Sequence, residues 1–247
     1  MKTVIALLLA FSATSFAFAT AVEAIQKEQR PWTDWSQKEV EKMLSSSPWA
    51  QIQKDADTTE MFFQPTADPR FTRAPNSKAR LEEGATNQEV VLSYGIRFFS
   101  ARPVRQAFIR QIQLRQKTLE PEVLARMKNF AEVPASDSII IAVTTESSDK
   151  RFLSKAMQLI NSAATGTLKN TTYLERSDGK RLFLQEYVPP GRDGFGARFI
   201  FPRLVDERPF LTPEFAEVRF VSEIASTIKL NMRFKLADMM LDGKFEY

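Results

Sequence analysis

The most regular stretch of the chain lies near its C-terminal end, where Ile228, Leu230, Met232, Phe234 and Leu236 alternate with Lys229, Asn231, Arg233 and Lys235. A period of two places the sets on opposite faces of a strand, so this segment predicts a β-strand with one buried and one solvated face. Ala216, Val218 and Phe220 alternate shortly before it. A three-residue loop at 224–226 makes the two a hairpin in which Val218 faces Met232, Phe220 faces Leu230 and Glu217 faces Arg233. Sliding the partner by two residues sets Arg219 against Arg233 instead. Opposite charges across a strand pair are favourable and like charges are not, so charge selects the first register.

Other segments follow the same logic. Val90, Leu92, Tyr94, Ile96 and Phe98 predict a strand over 89–99, and Ile139, Ile140, Ile141, Ala142 and Val143 run without polar alternation, as in a central strand covered on both faces. Between them, Pro103 suits a helix start, and a helix to about 116 turns Val104, Ala107, Phe108 and Ile112 inward. A second helix from Pro121 buries Val123, Leu124, Met127 and Phe130. Ser148 caps a third, over 149–163, with Phe152, Ala156, Leu159 and Ile160 inward. Segments 167–176 and 181–188 form a hairpin closed by Asp178-Gly179, a type I′ pair, and 197–201 is a further strand. The sum is an α+β fold, a mixed or mostly antiparallel sheet with about three helices packed on one face, plus a small N-terminal helical module.

That module is read from Trp32-Thr-Asp-Trp35 and Ser36-Gln-Lys-Glu39, where Ser36 and Glu39 stand at capping-box spacing before a short helix over 37–44 showing Val40, Met43 and Leu44 on one face. Trp32, Trp35 and Trp49 all flank this helix. They either pin it to the main domain or form an aromatic platform for sugar or peptide. Pro65, Pro69 and Pro75 mark 64–88 as a long loop or linker, with a short strand near 61–63 before it. Ahead of everything stands Lys2, an apolar run from Val4 to Phe11 and Ala17-Phe18-Ala19, the order of a cleaved export signal. The expected organisation is a leader over 1–19, a Trp-rich helical module over 20–63, the linker and a main domain over 89–247. Cleavage after Ala19 delivers a secreted or periplasmic protein. A second cut after Ala24 is the alternative.

Composition narrows the chemistry. The 247 residues include no cysteine and no histidine. Ser-His-Asp and Cys-His catalysis are therefore impossible within the chain, as are His and Cys ligand sets for zinc. Oxygen-ligand metals such as Ca²⁺ or Mg²⁺ survive that exclusion, and no catalytic residue, metal site or cofactor is assigned. Carboxylate, lysine or tyrosine chemistry survives. A formal charge of +4 is too mild to signify nucleic acid.

The distribution of charge is more telling. No acidic residue stands between Glu89 and Glu120, while Arg97, Arg102, Arg105, Arg110, Arg115 and Lys117 all do. Such a strip fits an anionic envelope glycan, a lipid headgroup or an acidic exported protein. A solvated helix face, neutralised by acids from elsewhere in the fold, is the other reading. Three of the eight glycines lie in 189–196, where a loop carries Phe195 either as a flap over a pocket or as an ordinary hairpin loop. Two Ser-x-x-Lys matches, at Ser177 and Ser226, lack the helix start that such a nucleophile needs and are rejected.

Trp32-Thr-Asp-Trp35, Ser47-Pro-Trp-Ala50, Phe234-Lys-Leu-Ala-Asp-Met239 and Gly243-Lys-Phe-Glu246 together resemble a group of exported bacterial proteins with no function attached. The resemblance implies export and supplies no reaction. The expectation is an exported, non-catalytic binding or scaffold protein of the cell envelope. The rival is a carboxylate-dependent hydrolase acting on glycan or peptide, which needs two acids facing one another in a cleft.

Overall fold

A computed structural model describes residues 30–57, 90–116, 118–133 and 137–247. The expected leader, the strand near 61–63, the linker over 64–88 and Lys117 lie outside them.

The first helix, α1 (Gln37–Ser45), begins as its sequence dictates. The Ser36 hydroxyl accepts from Glu39 N–H while the Glu39 carboxylate accepts from Ser36 N–H, and Val40 and Leu44 face inward. After it comes a strand that no alternation announces, β1 (Ala50–Asp57). It pairs with β2 (Val90–Phe98), which leads into α2 (Arg102–Arg115) and α3 (Pro121–Glu132). Next are β3 (Ser138–Ser147), α4 (Lys150–Ser162) and the short α5 (Thr165–Leu168). Strands β4 (Thr172–Arg176), β5 (Arg181–Phe183), β6 (Glu186–Val188), β7 (Ala197–Pro202), β8 (Leu204–Val205) and β9 (Arg208–Pro209) follow. The chain closes with β10 (Glu217–Ala225), β11 (Ile228–Lys235), β12 (Met240–Leu241) and β13 (Lys244–Phe245).

These elements make an α+β fold with two principal sheets where one was expected. A five-stranded sheet runs β1-β2-β3-β7-β6 and a four-stranded sheet β11-β10-β4-β5, every ladder antiparallel. The segment read as a single strand over 181–188 breaks at Leu184 and Gln185: β5 stays with β4, whereas β6 crosses to pair with β7. The sheets meet through aromatic rings. Phe98 packs edge-on against Phe234 at 4.9 Å, and Phe220 lies 5.2 Å from Phe199 and 6.4 Å from Phe201, all five fully buried. Such edge-to-face pairs add to the gain from burying the rings themselves.

β1 closes one side of this stack by side chain instead of backbone. Gln51 Nε2 donates to Arg233 C=O (2.9 Å), Gln53 Nε2 donates to Lys229 C=O (2.7 Å), and Asn231 N–H donates to Gln53 Oε1 (2.8 Å). Because its polar residues serve the second sheet, β1 has no apolar face for a period-two search to find.

Helices occupy both faces of the larger sheet, against the expectation of one. α1 rests on β1 and β2 and packs on α2, which packs on α3; α4 instead touches β3, β2 and β10, bridging the two sheets. Five α-helices stand among the described residues. The N-terminal segment is not a discrete module: Trp49 is buried, and its Nε1 donates to Glu246 C=O at 2.7 Å. The polar face left to water belongs to the four-stranded sheet, where Arg219, Glu175 and Arg233 lie.

Two local expectations are also corrected. α3 buries only Ala131 fully, and Phe130 is 41% exposed. α4 is capped by Asp149, whose carboxylate accepts from Arg151 N–H (2.8 Å), not by Ser148.

Candidate functional site

A cleft of about 440 Å³ opens on the outer face of the five-stranded sheet. Ile52, Ser93, Gly95, Arg97, Thr144 and Glu146 line it from β1, β2 and β3; Glu41, Leu44 and Ser45 from α1; Phe108, Gln111 and Arg115 from α2; and Gly194 from the loop before β7. Register explains the floor. Gly95 pairs with Ile52 on one side and Thr144 on the other, and Ser93 pairs with Glu146, so these side chains share one face of the sheet.

Arg97 is the organising group. It is 8% exposed, and its Nε donates to Leu44 C=O near the end of α1 (2.6 Å) while Nη1 donates to Thr144 Oγ1 (2.6 Å) and, more weakly, to Gly95 C=O (3.4 Å). The guanidinium folds back over Gly95, where a Cβ would come within 2.5 Å of Nη2. Glycine at this strand position is therefore a seat for the cation, which explains an otherwise unfavourable residue. Among the described residues Nη2 has no hydrogen-bond partner. Phe108 lies 5.7 Å from the guanidinium carbon. Burial pulls the pKa of Arg97 down to about 10, with the Glu146 carboxylate acting the other way, so the group remains a cation across the physiological range.

The remaining arginines between Glu89 and Glu120 do not assemble into a strip. Arg105 is 3% exposed and donates to the carbonyls of Ser100, Phe130 and Val133, tying the C-terminal turn of α3 to the start of α2. Arg102 pairs with Asp242 (3.0 Å) and Glu246 (3.4 Å). Arg110 donates to Trp35 C=O (2.8 Å) beside a second hollow between α2 and α3. Arg115 is exposed at the mouth of the cleft. Acids and carbonyls distant in sequence thus absorb most of this charge.

The aromatic candidates are similarly placed. Trp32 Nε1 donates to Glu132 (2.6 Å), Trp35 packs partly buried on the core, and Trp49 is held by Glu246. Phe195 sits among Phe99, Phe108 and Phe130 at centroid distances of 4.8, 5.4 and 6.1 Å, which docks the 189–196 loop beside the cleft. The residues that sequence reasoning missed are Gly95, Thr144, Glu146 and Glu41. The one signal for them was a glycine in the middle of an apolar strand, two places before an arginine on the same face.

Among the described residues no three carboxylates gather as a metal site, and no helix is long and apolar enough to cross a membrane. No protein-family model, curated protein or solved structure matches the chain.

Proposed function

We propose that this chain is an exported binding protein of the bacterial cell envelope, acting by recognition without chemistry of its own, with the Arg97 cleft as its recognition element. One observation carries the reading: a buried arginine lining a cleft is held by two backbone carbonyls and a hydroxyl, and its Nη2 has no hydrogen-bond partner among the described residues. A cation fixed in this way binds an anionic group at little cost in side-chain entropy. Export is supported by the charged, apolar and small-residue order of 1–19 and by the resemblance to exported proteins.

The hydrolase reading has one observation in its favour, since Glu41 and Glu146 both line the cleft. That reading needs the two carboxyls to face one another across a substrate, and both are exposed at the mouth, open to water.

Thermal unfolding in a panel of small carboxylates, phosphates and sugars at constant ionic strength tests the proposal, because a ligand of the native state raises Tm by mass action. A carboxylate or phosphate is expected to raise Tm, and the rise should vanish in Ser93→Trp, which fills the cleft while leaving the Arg97 bonds in place. An unmoved Tm throughout, or an equal rise in Ser93→Trp, overturns it. Turnover of an oligosaccharide or peptide that is lost in Glu146→Gln would establish the hydrolase instead.

A further inference from the structure

We infer that the cleft takes a small zwitterion, a free amino acid or short peptide whose carboxylate enters first and whose ammonium group stays at the mouth. This rests on the binding reading above and names its ligand class.

The charges of the cleft are ordered by depth. Arg97 lies in the floor, while Glu41, Glu146 and Arg115 are exposed. Among the described residues no carboxylate comes within ion-pair distance of Arg97, whose hydrogen bonds go only to neutral oxygens. A buried cation met only by neutral dipoles is costly, and an entering carboxylate relieves that cost. Thr144 contributes a second contact. Its oxygen already accepts from Nη1, so its hydroxyl hydrogen is left to donate, and among the described residues it has no acceptor. A carboxylate on Arg97 Nη2 and the Thr144 hydroxyl then has both oxygens engaged.

The mouth selects the other end of the ligand. The mouth carries two carboxylates, Glu41 and Glu146, against the single guanidinium of Arg115, so its balance is negative: a multiply charged anion such as phosphate gains Arg97 but meets that excess, whereas an ammonium group complements it. A simple cation gains nothing from the floor. The volume, about 440 Å³, falls in the range of small-molecule pockets and leaves room for a dipeptide.

Titration calorimetry on the mature protein at pH 7 tests this with four probes: Ala-Ala dipeptide, its N-acetyl form, its C-terminal amide and inorganic phosphate. Ala-Ala should bind, with both blocked forms and phosphate at least about tenfold weaker. In Glu41→Gln/Glu146→Gln, whose sites are exposed and outside the Arg97 bonds, Ala-Ala should weaken about two- to fivefold while the N-acetyl form does not. If the N-acetyl form or phosphate matches Ala-Ala, the zwitterion inference falls and an anion-binding cleft stands. If only the amide binds, or no probe binds, both readings fall.

Discussion

Arg219 of β10 and Arg233 of β11 stand directly opposite one another across the hairpin. The like charges are tolerated because each has an acid beside it: Arg219 bonds to Glu175 on the neighbouring β4, and Arg233 reaches Glu217 diagonally at 3.0 Å. The register expected from charge alone, Glu217 facing Arg233, is therefore wrong, although that ion pair forms. A bulge between Glu223 and Ala225 and the pairing of Ala225 with Ile228 shorten the tip to two residues and shift the partner. Sliding by two leaves every side chain on its own face, so hydrophobic alternation could not choose between the registers. Packing did: the observed one puts Phe234 opposite Val218 and against Phe98.

Glu175 should therefore matter more than an ordinary surface acid, since it serves both Arg219 and Arg181. Glu175→Gln is expected to destabilise the fold by about 0.5–1 kcal/mol. Adding Arg219→Gln should cost less than the sum of the two single changes, because each single change already breaks the Glu175–Arg219 pair and the double change breaks it only once. Urea unfolding of the four members of the cycle checks this.

The same acids set the response to low pH. The pKa values of Glu175, Asp149 and Asp178 are lowered in the folded state, first of all by hydrogen bonds from Arg181, Arg151 and Arg176 respectively. A depressed folded pKa means stability that is fully present above the unfolded value, near about 4, and is lost as pH falls through the folded one. The urea midpoint should hold from pH 7 to about 5 and fall below about 4, with a shallower fall in Glu175→Gln.

Gly196 marks the tightest backbone approach. Its φ is +82°, and a Cβ there would lie 2.2 Å from Val143 C=O. Gly196→Ala combines left-handed strain with a clash against β3 and should cost more than about 2 kcal/mol. Thermal unfolding should show a Tm lower by several degrees, and an unchanged Tm would show that the loop can leave β3.

The arginines of 97–115 should separate into two behaviours. Arg105→Met strands the Ser100, Phe130 and Val133 carbonyls and should cost about 3 kcal/mol or more. Arg115→Gln, exposed at the cleft mouth, should stay within about 0.5 kcal/mol. Denaturant midpoints of both variants test the division, and equal effects would contradict the burial of Arg105.

Local features were legible where a few neighbouring residues settle them. The Ser36–Glu39 capping box forms as its spacing dictates, and β3, read as central from its unbroken apolar run, is the middle strand of its sheet. Turn chemistry was less decisive. Asp178-Gly179 has a positive φ at Gly179 alone, so it is not the type I′ pair expected. Asp242-Gly243 has positive φ at both positions, as has Asp206-Glu207, which carries no glycine. Gly179 N–H bonds back to Arg176 C=O, so the first of these turns is centred on Ser177-Asp178, one residue earlier than the pair implies.

The cleft was less legible still. A run of arginines without acids reads as a surface strip only while its partners are unknown, and those partners, Glu246, Asp242, Trp35 and Leu44, lie far away along the chain. Periodicity and caps report interactions within a few residues, and from them the chain alone determined four of the five described α-helices and most strands, while α5 (Thr165–Leu168) was read as the start of a strand; composition alone removed imidazole and thiol chemistry. The split into two sheets, the hairpin register and the conversion of Arg97 into a buried, fixed cation were decided only by tertiary structure. Each depends on which distant carbonyl, ring or carboxylate arrives beside a side chain, and that energy is set by contacts across the fold.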